Sequence, residues 1–223
     1  MSLTKYAFFN TLTYGLALFG PALLLTLLHE FFGIAYSWQI PLILVAYCLG
    51  AGLMLGFIPR LKTPLKVEEK AVNSSNRKAI VEGLIGIAIV ICVQGVANVI
   101  EMSITGQAPS SANTDQIMAI IKSNLLFTIV VSIVGPIMEE LFFRRTLLGL
   151  FGNYFGFWPA TILSSFLFFL AHQDGHFLVY FAMGLTLSLL YRSTGKITTS
   201  IIAHCGMNTF VILMQLLLLP YLT

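Results

Sequence analysis

The chain has 223 residues, of which 57% are hydrophobic and 9% charged, with a mean hydropathy of +0.90. A soluble domain carries roughly 25% charged residues, so this chain cannot cover a water-facing surface and reads as a polytopic membrane protein. The net charge of +3 calls for no nucleic-acid partner. The three cysteines, Cys48, Cys92 and Cys205, lie singly in apolar segments without CxxC spacing, and read as small core residues.

The first apolar run, Ala7–Leu28, is free of charge and too long for the apolar stretch of a signal peptide, so it reads as a retained first span. The aromatic link Phe31 to Trp38 suits a membrane interface. Span two is Ile40–Ile58, and its Gly52-x-x-x-Gly56 reads as a close helix-packing face. Residues Pro59 to Lys78 carry Arg60, Lys62, Lys66, Lys70, Arg77 and Lys78, with Glu68 and Glu69. A basic loop of this kind reads as cytoplasmic, and it also has the charge to dock on anionic lipid.

Span three is about Ala79–Ile100, with a structural (i, i+4) pair of Lys78 and Glu82 at its start. The polar link Glu101 to Asn124, with one basic residue, Lys122, reads as external. Spans four to seven are about Leu125–Phe143, Phe155–Ala171, Phe177–Tyr191 and Ile197–Leu219. The apolar link Leu147 to Trp158 is a candidate interfacial or re-entrant helix. That leaves seven or eight spans in an all-α transmembrane bundle, one membrane domain over residues 1–223 with a motif-bearing core at about 123–219. Eleven of the twelve basic residues fall on one side, with Lys122 alone on the other. That asymmetry places the amino terminus and the charged end of span four in the cytoplasm, and the plasma membrane is the expected location.

Ionisable groups inside a span are rare and are functional by default. Glu139 and Glu140 are adjacent, just after Pro136, which opens or bends a helix. Neighbours on a helix point about 100° apart, so the two carboxylates cannot do one job. Glu140 can pair with Arg144 at (i, i+4). Glu139 has no such partner and suits a general base. His172 ends the apolar run from Phe166, with Phe168 on its own face. His204 and Asn208, four apart, share a face of the last span, and both can donate to a developing oxyanion. Each set alone also fits a structural role as an ion pair or interhelical hydrogen bond. Buried polar groups need partners, and one shared cavity would supply them for all three sets. A carboxylate, a histidine and oxyanion donors are what water attack on an amide needs.

Glu139-Glu140-x-x-x-Arg144, Phe168-x-x-x-His172 and His204-x-x-x-Asn208 resemble the three ordered motifs of the CPBP (Abi) family of intramembrane proteases. That family includes type II CAAX prenyl endoproteases and bacteriocin-processing or immunity proteins. The resemblance covers about Gly135 to Asn208. It implies a membrane-embedded site near, and opening toward, the cytoplasm. It also implies hydrolysis of a membrane-associated peptide or lipidated protein substrate, of the prenylated CAAX or the leader and signalling kind. Carried over by position, Glu139 and His172 activate water, His204 and Asn208 stabilise the oxyanion, and Glu140, Arg144 and Phe168 support them. The chain has no HExxH. Glu139, His172 and His204 would still offer zinc three ligands and an open position. The shared donor face of His204 and Asn208 favours the version that needs no cofactor. The alternative is a non-enzymatic immunity or signalling scaffold that works through the basic loop. A proton-coupled transporter is a weaker reading, because no inverted repeat is visible.

Overall fold

The computed structural model describes residues 1–106 and 112–222, with side chains for all of these except 112–114 and 218–222. Residues 107–111 of the link read as external lie outside this description. Among the described residues every regular element is helical. The main helices are α1 (Leu3–Phe32), α2 (Gln39–Phe57), α3 (Asn76–Thr105), α4 (Ala112–Ser123), α5 (127–155), α6 (Phe157–His172), α7 (Phe177–Thr194) and α8 (Ile197–Leu222). Seven of these eight stand where the sequence places seven spans. Five of them are long and apolar enough to cross a membrane by length and composition. Of the other two, α6 is apolar but shorter, and α5 carries Glu139, Glu140, Arg144 and Arg145.

Local chemistry sets the ends. Ser2 and Ser75 cap α1 and α3, each accepting a hydrogen bond from the backbone N–H three residues on. The α7 helix ends on Gly195 at φ +71°, where a Cβ would lie 2.6 Å from the backbone nitrogen of Ala71. Only glycine admits both that conformation and that approach. The approaching segment is a 3₁₀ strap, Lys66–Asn73, folded from the basic loop against the bundle end. Leu65 and Val67 are buried there with Leu148 and Tyr191.

Three expectations are corrected: the separate re-entrant helix, the Gly52/Gly56 packing face and the core placement of the cysteines. The link after span four does not form a separate re-entrant helix: α5 runs on to Phe155 and breaks at Gly156, φ +83°. The short helix α4, in the link read as external, buries Met118 and Ile121 against Phe127 and Ile212. Gly52 faces open space and Gly56 meets only Arg60. The packed face of α2 is Gly50, Ala51 and Met54, because a small-residue spacing says nothing about which way the helix is turned. Cys48 and Cys92 are exposed on α2 and α3 rather than in the core, as apolar lipid permits for a small apolar side chain. The Lys78–Glu82 pair forms as expected, at 3.6 Å.

Candidate active site

The α5 helix alternates between α and π winding, with π segments at Val130–Val134 and Glu140–Leu148. Such windings are uncommon and collect at functional sites. Here the cause is local. The N–H of Gly135 bonds the carbonyl of Val130, five residues back, and Pro136 has no N–H to give. The carbonyl of Val131 is thereby left without a helical donor, and Asn208 on α8 supplies one from Nδ2 at 3.0 Å. In the second π segment, Thr146 Oγ1 donates to Leu141 O at 2.8 Å and Ser164 Oγ on α6 donates to Phe143 O at 2.7 Å. Asn208 and Ser164 from neighbouring helices, with Thr146 of α5 itself, thus satisfy carbonyls along the irregular winding that carries the two glutamates.

The two glutamates have different surroundings. The side chain of Glu140 is fully buried, with Arg144 Nη1 3.3 Å from its Oε1 and His204 Nδ1 at 2.9 Å from the same oxygen. Glu139 retains a quarter of its side-chain exposure, and its Oε2 stands 3.7 Å from His204 Nε2. His204 therefore has a carboxylate before each ring nitrogen. The Arg144 guanidinium also lies 4.2 Å from the centre of the Phe168 ring. Phe168 touches His172 and His204 edge-on, at centroid distances of 4.5 and 5.9 Å, so one buried ring spaces the two histidines. Burying a charge without a partner is costly, and the Glu140–Arg144–Phe168 stack is the arrangement that makes this one tolerable.

His172, the last residue of α6, donates from Nδ1 to Phe168 O at 2.8 Å. That bond assigns the tautomer and leaves Nε2 with its lone pair. Its ring stacks on Tyr180 of α7 at 3.9 Å, and Tyr180 in turn donates to Asp174 at 2.6 Å.

A cavity of about 330 Å³ is bordered by Glu139, His172, His204 and Asn208. All three motif sets therefore reach one space, and Phe168, Glu140 and Arg144 stand behind it. Tyr14 and Tyr47 also line it, near enough to Glu139 to feel its charge. The sequence reading missed these two, although each is the only tyrosine of its expected span. Among the described residues no three His, Cys, Asp or Glu side chains stand close enough together to hold a metal ion. Glu139, His172 and His204 all border the cavity but are not gathered at ligand distance of one point.

Residues 121–210 match the family model described as type II CAAX prenyl endopeptidase Rce1-like. The chain is 41% identical over 139 residues to YdiL of Bacillus subtilis (strain 168), which is named as a membrane peptidase. That match covers 62% of this chain and 57% of YdiL. It is 35% identical over 181 residues to the membrane-embedded CAAX protease MroQ of Staphylococcus aureus (strain USA300), covering 78% of this chain and 73% of MroQ. No solved structure matches. The motif-bearing helices fall inside the family match and the likeness to MroQ extends well beyond it, so the chain belongs to the Rce1-like CAAX protease family of membrane proteins.

Proposed function

We propose that the chain is a membrane endopeptidase whose hydrolytic water is activated by Glu139 and His172. The observation that carries this reading is the division of labour between adjacent carboxylates. Glu140 is enclosed by Arg144 and His204, while Glu139 borders the cavity with His172, His204 and Asn208. In this scheme water sits between Glu139 and the free Nε2 of His172 and loses a proton to Glu139 as its oxygen attacks the peptide carbonyl. The developing oxyanion accepts hydrogen bonds from the second amide hydrogen of Asn208, whose first is fixed on Val131, and from a His204 protonated at both nitrogens. Glu139 then returns the proton to the leaving amine. The bond broken is one C–N bond of a membrane-associated peptide, and the chemistry as written needs no cofactor.

The test is cleavage of a peptide library, with and without prenyl groups, by the purified protein in liposomes. It is run with and without a zinc chelator, beside Glu139→Gln and His172→Ala. Loss of cleavage in both variants, at unchanged thermal stability and in the presence of chelator, supports the scheme. Full cleavage by either variant sinks it. Cleavage abolished by chelator and restored by zinc would move the histidines to a metal. A function that survives Glu139→Gln but fails when the strap's charges are removed would favour the scaffold reading.

A further inference from the structure

Helices α1 and α2 lie outside the family match at residues 121–210, yet they supply part of the cavity wall. Tyr14 of α1 and Tyr47 of α2 border the cavity beside Glu139. Each ring is fixed on α5. Tyr14 lies flat on Phe142, with centroids 4.4 Å and planes 7° apart, and meets Phe143 edge-on at 5.9 Å. Tyr47 packs on Gly135, where a Cβ would lie 3.8 Å from its Cε1. Gly135 stands one turn before Glu139 and Phe142 one turn after it, on the same side of the helix. The two tyrosines therefore bracket the carboxylate along α5, and both feel its charge.

Their hydroxyls differ from those of the other tyrosines packed into the bundle. In the buried layer beneath the strap, Arg145 holds both carboxylate oxygens of Glu68 at 2.9 and 3.1 Å and donates to the Tyr6 hydroxyl at 2.6 Å. Tyr191 donates to the same Glu68 at 2.7 Å, and Tyr180 donates to Asp174 at 2.6 Å. Among the described residues, the hydroxyls of Tyr14 and Tyr47 make no hydrogen bond. A tyrosine hydroxyl in an apolar site ordinarily has a partner. Glu139 is not that partner, and a hydrogen bond donated to it would weaken it as a base.

An extended peptide brings unmet groups of its own into the cavity. Every backbone N–H and C=O taken out of water without a partner costs free energy. The proposed reaction occupies Glu139, His172, His204 and Asn208, and the Tyr180 hydroxyl is on Asp174. Of the polar side chains on the lining, Tyr14, Tyr47 and Gln215 remain. A phenol can donate to a carbonyl or accept from an amide. We propose that Tyr14 and Tyr47 hold the substrate main chain by hydrogen bonds to their hydroxyls, one on each side of the scissile bond, so that this bond rests over Glu139. The role rests on the protease reading, and it gives α1 and α2 a part in the active site that the motif-bearing helices alone do not fill.

The experiment uses the full chain in liposomes, the fastest-cleaved peptide of the library and a set of its analogues. In each analogue one backbone amide flanking the scissile bond is replaced by an ester, which deletes an N–H and weakens a carbonyl. Tyr14→Phe and Tyr47→Phe keep both rings and their packing. Each should raise KM for the all-amide peptide about 2–10-fold, the range of one neutral hydrogen bond, with kcat and melting temperature near wild type. The wild type should discriminate against an ester at one position for each tyrosine, and the matching Phe variant should lose that discrimination. A wild-type KM in both variants overturns the proposal. A KM rise that is equal for every analogue also overturns it, being the mark of a loosened wall. A fall in kcat with a shifted acid limb of the pH profile and an unchanged KM would place the hydroxyls on Glu139, and overturns it too. Cleavage that survives Glu139→Gln sinks the catalytic scheme instead, and the KM comparison still decides the tyrosines. Failure to cleave any peptide takes both readings down together.

Discussion

Glu140 fixes His204: the Nδ1–H of the histidine donates to its Oε1 at 2.9 Å, while Arg144 stands 3.3 Å from that same oxygen. One buried carboxylate thus neutralises a guanidinium and aims an imidazole at the cavity. Replacing Glu140 by Gln leaves Arg144 buried without a counter-charge, a loss of about 3–5 kcal/mol for pairs of this kind. Glu140→Gln should therefore melt well below wild type in detergent. Glu139→Gln should melt with wild type and lose about 10²–10⁴-fold in cleavage rate. Equal melting of both variants would refute the division between them.

Asn208 and Pro136 are coupled through the carbonyl of Val131. Asn208→Ala removes the donor to that carbonyl and one oxyanion donor, so its cleavage rate should fall about 10²–10³-fold, with some loss of stability. Pro136→Ala restores a backbone N–H five residues after Val131. In the double variant that N–H can replace the lost amide, so the two stability losses should not add. A coupling of about 0.5–3 kcal/mol in a thermodynamic cycle is expected. Strict additivity would show that the proline does not create the vacancy.

Arg145 depends on the planar fork of its guanidinium. Arg145→Lys keeps the charge and loses the two-pronged grip on Glu68, a change that is not conservative at such a site. The strap should loosen, and trypsin should cut at Lys66 and Lys70 at concentrations that leave the wild type intact. An unchanged digestion pattern would show that Leu65 and Val67 alone hold the strap.

Tyr180 positions His172 by its ring. Tyr180→Phe keeps the stacked face and should cleave near the wild-type rate. Tyr180→Ala removes it and should lower kcat more than it raises KM. A Phe variant as impaired as the Ala variant would mean that the hydroxyl, through Asp174, is what matters.

Much of this was legible in the sequence. A run of about 20 apolar residues has one physical outcome in lipid, so a helix could be placed at each of the seven runs, five of which are long and apolar enough to cross a membrane. Glu139, His172, His204 and Asn208 stood out because polar groups in such runs must find one another. The tyrosines did not, since a ring hides its hydroxyl from a count of charge and amide. Nor did the π winding of α5 at Val130–Val134: Pro136 is visible in the sequence, but the donor that satisfies the Val131 carbonyl, Asn208, lies 77 residues later in the chain. The Gly52/Gly56 spacing misled for a related reason: it specifies a smooth surface without saying what lies against it.

The closed layer of Arg145, Glu68, Tyr6 and Tyr191 has an electrical consequence. Glu139 lies six residues, roughly 9 Å, from Arg145 along the helix. If water fills the cavity, little insulating material remains between Glu139 and the basic end. Most of the membrane voltage then drops across this thin plug. Moving one charge through the full potential is worth about 2.3 kcal/mol per 100 mV, and here that field falls mainly on Arg145 and Glu68. Under that condition the charges that bear the field are the ones held by two parallel hydrogen bonds.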